Sequence, residues 1–387
     1  MADVHGRCDP RFERVRAAFV ESFERHGEVG AACAVYCDGR SVVDLWGGLA
    51  DRATGRPWAA DTAAVVFSST KGVTAIVAGM LVDGRVLDFD APVARVWPEF
   101  AAAGKERITL RTVLSHRAGL PAVEGDFTLE RALAWHPVVE ALARQAPLWD
   151  PGTSHGYHAR TYGWLAGEVV RRATGRTVGR FLADDIARPL GLELWVGLPE
   201  AEEGRLARIV PPSPPADPAA RELMERFMGP DTLTGKVMTG PSGLFHYDEM
   251  WNTRPLHAAE LPSSNGVATA RALARLYAAA IGPVDGVRLL EPATLADMCR
   301  VQSDDRDRVL LLPTRFGTGF MLPPTLSIHG RDGAFGHPGA GGSLGYADPA
   351  AGLALGYVMN RMDLGLTGDP RSAGLVAAAY ESLGAPG

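Results

Sequence analysis

Residues 30–46 read GAACAVYCDGRSVVDLW, two apolar, β-rich runs (30–36 and 41–46) separated by Asp38-Gly39. Asp-Gly between such runs is the strongest short-range signal for an antiparallel hairpin, because the favoured two-residue turn needs φ > 0 at both central positions. Working outward, residues 9–26 place Phe12, Val15, Phe19, Val20 and Phe23 at helical spacing among charged residues, which predicts an amphipathic first helix. Three more strand-like runs follow near the C-terminus (315–322, 341–347 and 353–358), and a helix over 372–383 closes the chain. The stretch between is helical in pattern, at 72–82, 111–114, 129–144, 162–174, 178–187 and 270–281, with Pro and Gly at the breaks. One antiparallel β-sheet flanked by N- and C-terminal helices, with a mainly helical subdomain inserted, makes an α+β protein.

On this reading residues 1–66 and 288–387 form the subdomain that carries the sheet, and 67–287 the helical one. Within the latter, 200–262 is irregular. Its run Val210-Pro211-Pro212-Ser213-Pro214-Pro215 cannot be an interior helix or a central strand. Met224, Phe227, Met228, Phe245 and Trp251 give the segment too much apolar surface for a solvated linker, so it is expected to pack as a cap.

The chain has 387 residues, 46% hydrophobic and 22% charged, with a net charge of −6. That balance supports a sizeable core and carries no basic footprint for nucleic acid or an anionic membrane. The longest apolar stretch, 72–82, is far short of the ~20 residues that span a bilayer. Residues 1–16 contain no apolar leader, so the expected setting is cytoplasmic. Cys8, Cys33, Cys37 and Cys299 are too few for a disulfide framework and match no zinc spacing, and they read as core fillers.

The chemistry concentrates in three places. Phe67-Ser68-Ser69-Thr70-Lys71-Gly72 holds Ser-x-x-Lys where an extended run becomes a helix, so Lys71 and Ser68 share a face. A serine needs an adjacent base to attack at neutral pH, and a lysine among apolar neighbours can have its amine pKa lowered enough to serve. The chain has only three lysines and uses arginine almost everywhere else, yet arginine cannot deprotonate. The second place is Trp149-Asp150-Pro151-Gly152-Thr153 with Tyr157-His158-Ala159 just before a helix, where Tyr157 fits a buried ring as well as a reactive phenol. The third is Phe335-Gly336-His337-Pro338-Gly339-Ala340-Gly341-Gly342-Ser343, whose glycines permit close backbone approach to a ligand or simply make a tight turn.

Together these pieces resemble the serine β-lactamase-like superfamily, which includes class C β-lactamases, DD-peptidases and the family VIII carboxylesterases. Leu45-Trp46-Gly47-Gly48, Leu87-Asp88-Phe89-Asp90-Ala91-Pro92-Val93, Leu114-Ser115-His116-Arg117-Ala118-Gly119-Leu120-Pro121 and Asn265-Gly266-Val267-Ala268 resemble the esterase branch, so the resemblance spans nearly the whole chain. It implies a β-lactamase/transpeptidase-like fold and an acyl-enzyme mechanism: Ser68 as nucleophile, Lys71 and Tyr157 as the base pair, and the backbone N–H groups of Ser68 and Ala340 as the oxyanion hole. It further implies substrate contacts from His337, Gly339 and Gly341, no metal and no cofactor. A Lys71 ammonium is expected to stabilise a Tyr157 phenolate.

Two departures set the branch. Penicillin-recognising relatives show Tyr-x-Asn, where this chain has Ala159, and Lys-Thr-Gly, where it has His337-Pro338-Gly339. Both missing groups would contact the amide and carboxylate of a β-lactam or peptidoglycan stem. The expected activity is therefore that of a serine carboxylesterase on small, short-chain esters. The alternatives are a β-lactamase or D-amino-acid peptidase, an acyltransferase, and a silent acyl-binding homologue. Two rival sites also arise. Gly341-Gly342-Ser343-Leu344-Gly345 fits a Gly-x-Ser-x-Gly elbow, but a strand and not a helix should follow, and no histidine lies downstream. His155 and His158 could ligate a metal, yet there is no His-Glu-x-x-His, no P-loop and no dinucleotide fingerprint.

Overall fold

The computed structural model describes residues 3–365 and 367–384. Residues 1–2, 366 and 385–387, which belong to the terminal segments assigned above, lie outside the described residues. The α+β reading holds: β1 (Val4–Cys8), α1 (Glu13–Arg25), β2 (Gly30–Cys37) and β3 (Arg40–Asp51) open the chain. β4 (Phe335–Pro338), β5 (Leu344–Asp348), β6 (Leu353–Met359) and a terminal helix Pro370–Ser382 close it. The sheet order is β1-β3-β2-β6-β5-β4, every pair antiparallel. The β2–β3 turn has φ of +48° at Asp38 and +74° at Gly39, as the Asp-Gly pair demands.

β2 is buried along its whole length because both faces of the sheet are covered. Its odd residues, Ala31, Cys33 and Val35, join Phe12, Val15, Phe19, Leu375 and Val376 of the terminal helices. Its even residues, Ala32, Ala34 and Tyr36, face the inserted helices. This is why the strand reads as a continuous apolar run with no visible alternation. The helix Ala270–Ile281 lies directly on that second face. A Cβ on Gly345 of β5 would come within 2.2 Å of the Tyr277 ring.

Several elements differ from expectation. β1 was not anticipated, its mixed sequence being that of an edge strand with three exposed residues. Residues 315–322 do not form a strand of the main sheet. Pro313–Phe316 pairs with Ser303–Arg306 in a separate hairpin, and the chain beyond reaches β4 only through an isolated bridge at Met321–Gly336. Residues 341–343 are turn, and the strand starts at Leu344, after Phe335–Pro338 has already supplied β4. The stretch 129–144 is two helices, Leu129–Leu133 and His136–Arg144, broken where Trp135 takes a φ of +66° before Pro137. The irregular 200–262 segment contains helices Pro218–Met228 and Leu233–Thr239. Phe245 and Trp251 are fully buried there, whereas Met224, Phe227 and Met228 stay exposed.

Candidate active site

α2 (Ser69–Asp83) runs through the middle of the molecule and is apolar all round, with nearly every residue buried. Polar side chains in its first two turns therefore need protein partners. The 262–266 segment provides them: Thr74 donates to Pro262 O (2.6 Å), Thr70 Oγ1 accepts from Gly266 N (2.8 Å), and Lys71 Nζ donates to Ser263 O (3.0 Å). Asn265 braces that segment, accepting from Leu261 N and donating to the carbonyls of Leu256 and Ala259. Ahead of the helix, Phe67 is held at a φ of +43°, a sparsely populated conformation for an aromatic residue. Its ring is wedged against Tyr247 and Trp251, with centroids 5.7 and 5.0 Å away. Packing thus holds a strained residue immediately before Ser68, which stays half-exposed while its neighbours are sealed.

Lys71 is fully buried, and its amine makes three contacts: Ser68 Oγ at 3.0 Å, Ala159 O at 2.8 Å and Ser263 O at 3.0 Å. Among the described residues no carboxylate touches it. Burial, with the Arg160 guanidinium nearby, holds the amine well below the ordinary lysine range. Tyr157 lies across the same hydroxyl, its ring centroid 4.8 Å from Lys71 Nζ. Burial pushes the phenol up, and hydrogen bonding with Ser68 offsets only part of that. Burial thus disfavours the charged form of each group, against the ammonium–phenolate pair that the resemblance implies.

Tyr157 is placed by parts that the sequence reading missed. Asp307, with no exposed side-chain surface, accepts from the backbone N–H groups of Tyr157 (3.1 Å), Val309 (2.7 Å) and Leu310 (2.8 Å). In sequence it sits in Asp304-Asp305-Arg306-Asp307-Arg308, which looks like a solvated charged turn. On the other side, His158 N donates to His116 Nδ1 (3.1 Å) and Leu120 N to His158 Nε2 (3.0 Å). The His116 ring packs on Tyr157 at 4.9 Å. His155 Nε2 meets Thr314 Oγ1 at 2.8 Å. The two histidines weighed as metal ligands thus use these nitrogens to hold the Tyr157 segment. Among the described residues no group of three or more His, Cys, Asp or Glu could hold a metal ion.

The glycine-rich loop closes the third side. A Cβ on Gly339 would fall 2.2 Å from Val66 O, so only glycine lets the end of β4 lie this close to the segment entering Ser68. Ser343 ties the two together, donating to Val66 O (2.8 Å) and sharing a contact with Ser69 Oγ (3.2 Å). Gly341, at a φ of +85°, turns the chain, and its carbonyl is taken by Arg371. Gly339 N–H is bonded to Ser343 O, so this donor serves the loop and not a ligand. The N–H groups of Ser68 and Ala340 have no partner among the described residues. His337 is 1% exposed; Nδ1 donates to Pro338 O (2.7 Å), Nε2 has no partner, and burial beside Lys71 lowers its pKa to about 3. His337 is therefore a buried neutral wall beside Tyr157 and not an open contact.

Ser343, the rival elbow serine, is 1% exposed, consumed by backbone, and followed by a strand. Ser343→Ala is expected to cost about 1–3 kcal/mol of stability in urea unfolding, the penalty for stranding buried polar partners. Covalent labelling should stay on Ser68. A folded Ser343→Ala protein that no longer reacts with a serine-directed probe would return Ser343 to the nucleophile's role.

Among the described residues no helix is long and apolar enough to cross a membrane. Residues 15–378 match the Beta-lactamase family. The esterase/β-lactamase LipL of Mycobacterium tuberculosis is 40% identical over 370 residues, covering 93% of this chain and 83% of that protein. A family VIII carboxylesterase crystal structure superposes with a TM-score of 0.88 at 37% identity, covering 98% of this chain and all of that one. A penicillin-binding protein homologue from Caulobacter crescentus gives 0.87 at 40% identity, again over 98% of this chain. A match of this extent, on a fold that brings Ser68, Lys71 and Tyr157 around one hydroxyl, places the chain in the Beta-lactamase family, with the β-lactamase/transpeptidase-like fold of the family VIII carboxylesterases.

Proposed function

We propose that the protein is a serine carboxylesterase that cleaves small, short-chain esters through an acyl-enzyme on Ser68. The observation that carries the reading is the Lys71 amine, buried, 3.0 Å from Ser68 Oγ and without a carboxylate partner among the described residues. As Ser68 Oγ attacks the ester carbonyl, its proton passes to Lys71 Nζ, forming the C–O bond while the amine becomes an ammonium. The unbonded N–H groups of Ser68 and Ala340 receive the oxyanion, each donor worth ~3–4 kcal/mol in comparable sites. The Tyr157 phenol, neutral at rest, relays a proton to the departing alkoxide and is reprotonated from the Lys71 ammonium. In the second half the same pair takes a proton from water as it attacks the acyl carbonyl, and Ser68 leaves as the hydroxyl.

Esters are favoured over β-lactams because Ala159 offers no side-chain amide at the third position and no Lys-Thr-Gly cation stands at His337-Pro338-Gly339. The reading keeps the cytoplasmic setting, which suits four cysteines that are all free thiols. Turnover of p-nitrophenyl butyrate with a burst of p-nitrophenol, at a kcat/KM at least ~100-fold above that for benzylpenicillin, is the expected result; a hundredfold is ~2.7 kcal/mol, about the loss of one strong polar contact. Benzylpenicillin turned over as efficiently as the ester would assign the protein to the β-lactamase branch. No turnover of any ester would favour a silent acyl-binding homologue.

A further inference from the structure

The short helix Leu110–Leu114 ends on Ser115, and the residue after it, His116, takes a φ of +62°. A left-handed residue commonly ends a helix, but glycine is the usual choice there because it has no Cβ to strain. A buried imidazole held in that conformation points to a role for the residue. Its hydrogen bonds identify one. The His116 carbonyl accepts from Gly156 N (3.1 Å) and its ring Nδ1 accepts from His158 N (3.1 Å), so the two peptide N–H groups flanking Tyr157 both close on this residue. The Tyr157 N–H goes to Asp307 (3.1 Å), which gives three successive N–H groups three fixed acceptors. Because Nδ1 accepts, the neutral ring carries its proton on Nε2.

With the backbone fixed, a phenol can still swing about its two side-chain torsions. The His116 ring bears on that freedom directly: its centroid lies 4.9 Å from that of Tyr157, while Phe316 and His337 stand farther off at 6.1 Å each. The imidazole is itself held between Phe316 (4.6 Å) and Tyr162 (5.4 Å). We propose that His116 is a positioning residue that acts through Tyr157: its carbonyl and Nδ1 grip the peptide on either side, and its ring face aims the phenol at Ser68. The inference rests on the proton relay by Tyr157 set out above. A reacting group displaced by about 1 Å can cost ~10²-fold in rate, so an aiming residue that never meets the substrate can weigh heavily on kcat.

The test is a double-mutant cycle on kcat for p-nitrophenyl butyrate. His116→Phe keeps a ring and loses the Nδ1 acceptor, stranding the His158 N–H; kcat should fall ~10²-fold with KM held within about threefold. His116→Gly accepts the left-handed backbone and loses ring and acceptor together; it should show a loss of the same order, and it keeps the test decisive if His116→Phe does not fold. His116→Asn sets an acceptor where Nδ1 stood and tolerates φ > 0, so it should recover about tenfold over His116→Phe. In a Tyr157→Phe background each of these substitutions should cost less than about threefold, because no phenol remains to be aimed. Equal losses in both backgrounds overturn the proposal and leave His116 a residue of the fold alone. So does a raised KM at unchanged kcat, which would place the imidazole on the substrate. The parent reading fails separately: near-wild-type kcat in Tyr157→Phe alone removes the relay and this inference with it, whereas a large loss there with an additive cycle removes only the inference.

Discussion

Ser68→Ala should lower kcat/KM for p-nitrophenyl butyrate by at least ~10³-fold, the largest loss expected from any single substitution in the protein. The argument is geometric. Ser68 combines partial exposure, contact with a buried amine and an unbonded backbone N–H of its own. Removing it leaves the oxyanion donors and binding surfaces in place, so the residual rate measures what those alone contribute. The fold should survive, because α2 is anchored through Thr70, Lys71 and Thr74 and not through Ser68. A Ser68→Ala protein with wild-type turnover would mean that ester cleavage takes place elsewhere.

Lys71→Arg is the second large effect and the more discriminating one. Arginine keeps a positive charge and hydrogen-bond donors but cannot accept a proton. If a Tyr157 phenolate were the base, a permanent cation beside it would support it and activity would largely persist. With the neutral amine as base, kcat should fall ~10²- to 10⁴-fold, the range for a positioned proton acceptor. Tyr157→Phe should also cost at least ~10²-fold in kcat. Rapid-quench measurement of acylation and deacylation separates the steps. The sign of the pH effect follows from the depressed Lys71 pKa: the amine is neutral above it and competent, and activity is lost as pH falls through it. Near-wild-type acylation by Lys71→Arg would restore the phenolate mechanism.

The hairpin at Asp38-Gly39 and the terminal helices were legible because local chemistry and tertiary demand agree there: a left-handed two-residue turn needs those residue types, and a helix with one wet face shows its period. The Ser68–Lys71 pair was legible because three-residue spacing on a helix is local geometry. What escaped is non-local. Arg160 reads as an ordinary polar residue at a helix start, and only the folding of Phe245, Tyr247 and Trp251 around it shows an enclosed charge. Asp307 hides among surface charges, though a second-layer carboxylate could have been sought wherever a reactive tyrosine must be held. Ser343 resembled an elbow because the glycine run that lets β4 approach Val66 also spells Gly-x-Ser-x-Gly. The helices Pro218–Met228 and Leu233–Thr239 were obscured by the prolines ahead of them, which say where a helix cannot be and nothing of where one starts.

The most direct measurement is intact-mass spectrometry of the wild-type protein after reaction with a fluorophosphonate, followed by peptide mapping of the adduct. A single adduct on Ser68, formed faster as pH rises through the Lys71 titration and abolished in Ser68→Ala, is the predicted result. An adduct on Ser343 or on another residue, or none under conditions where ester turnover is observed, would contradict it.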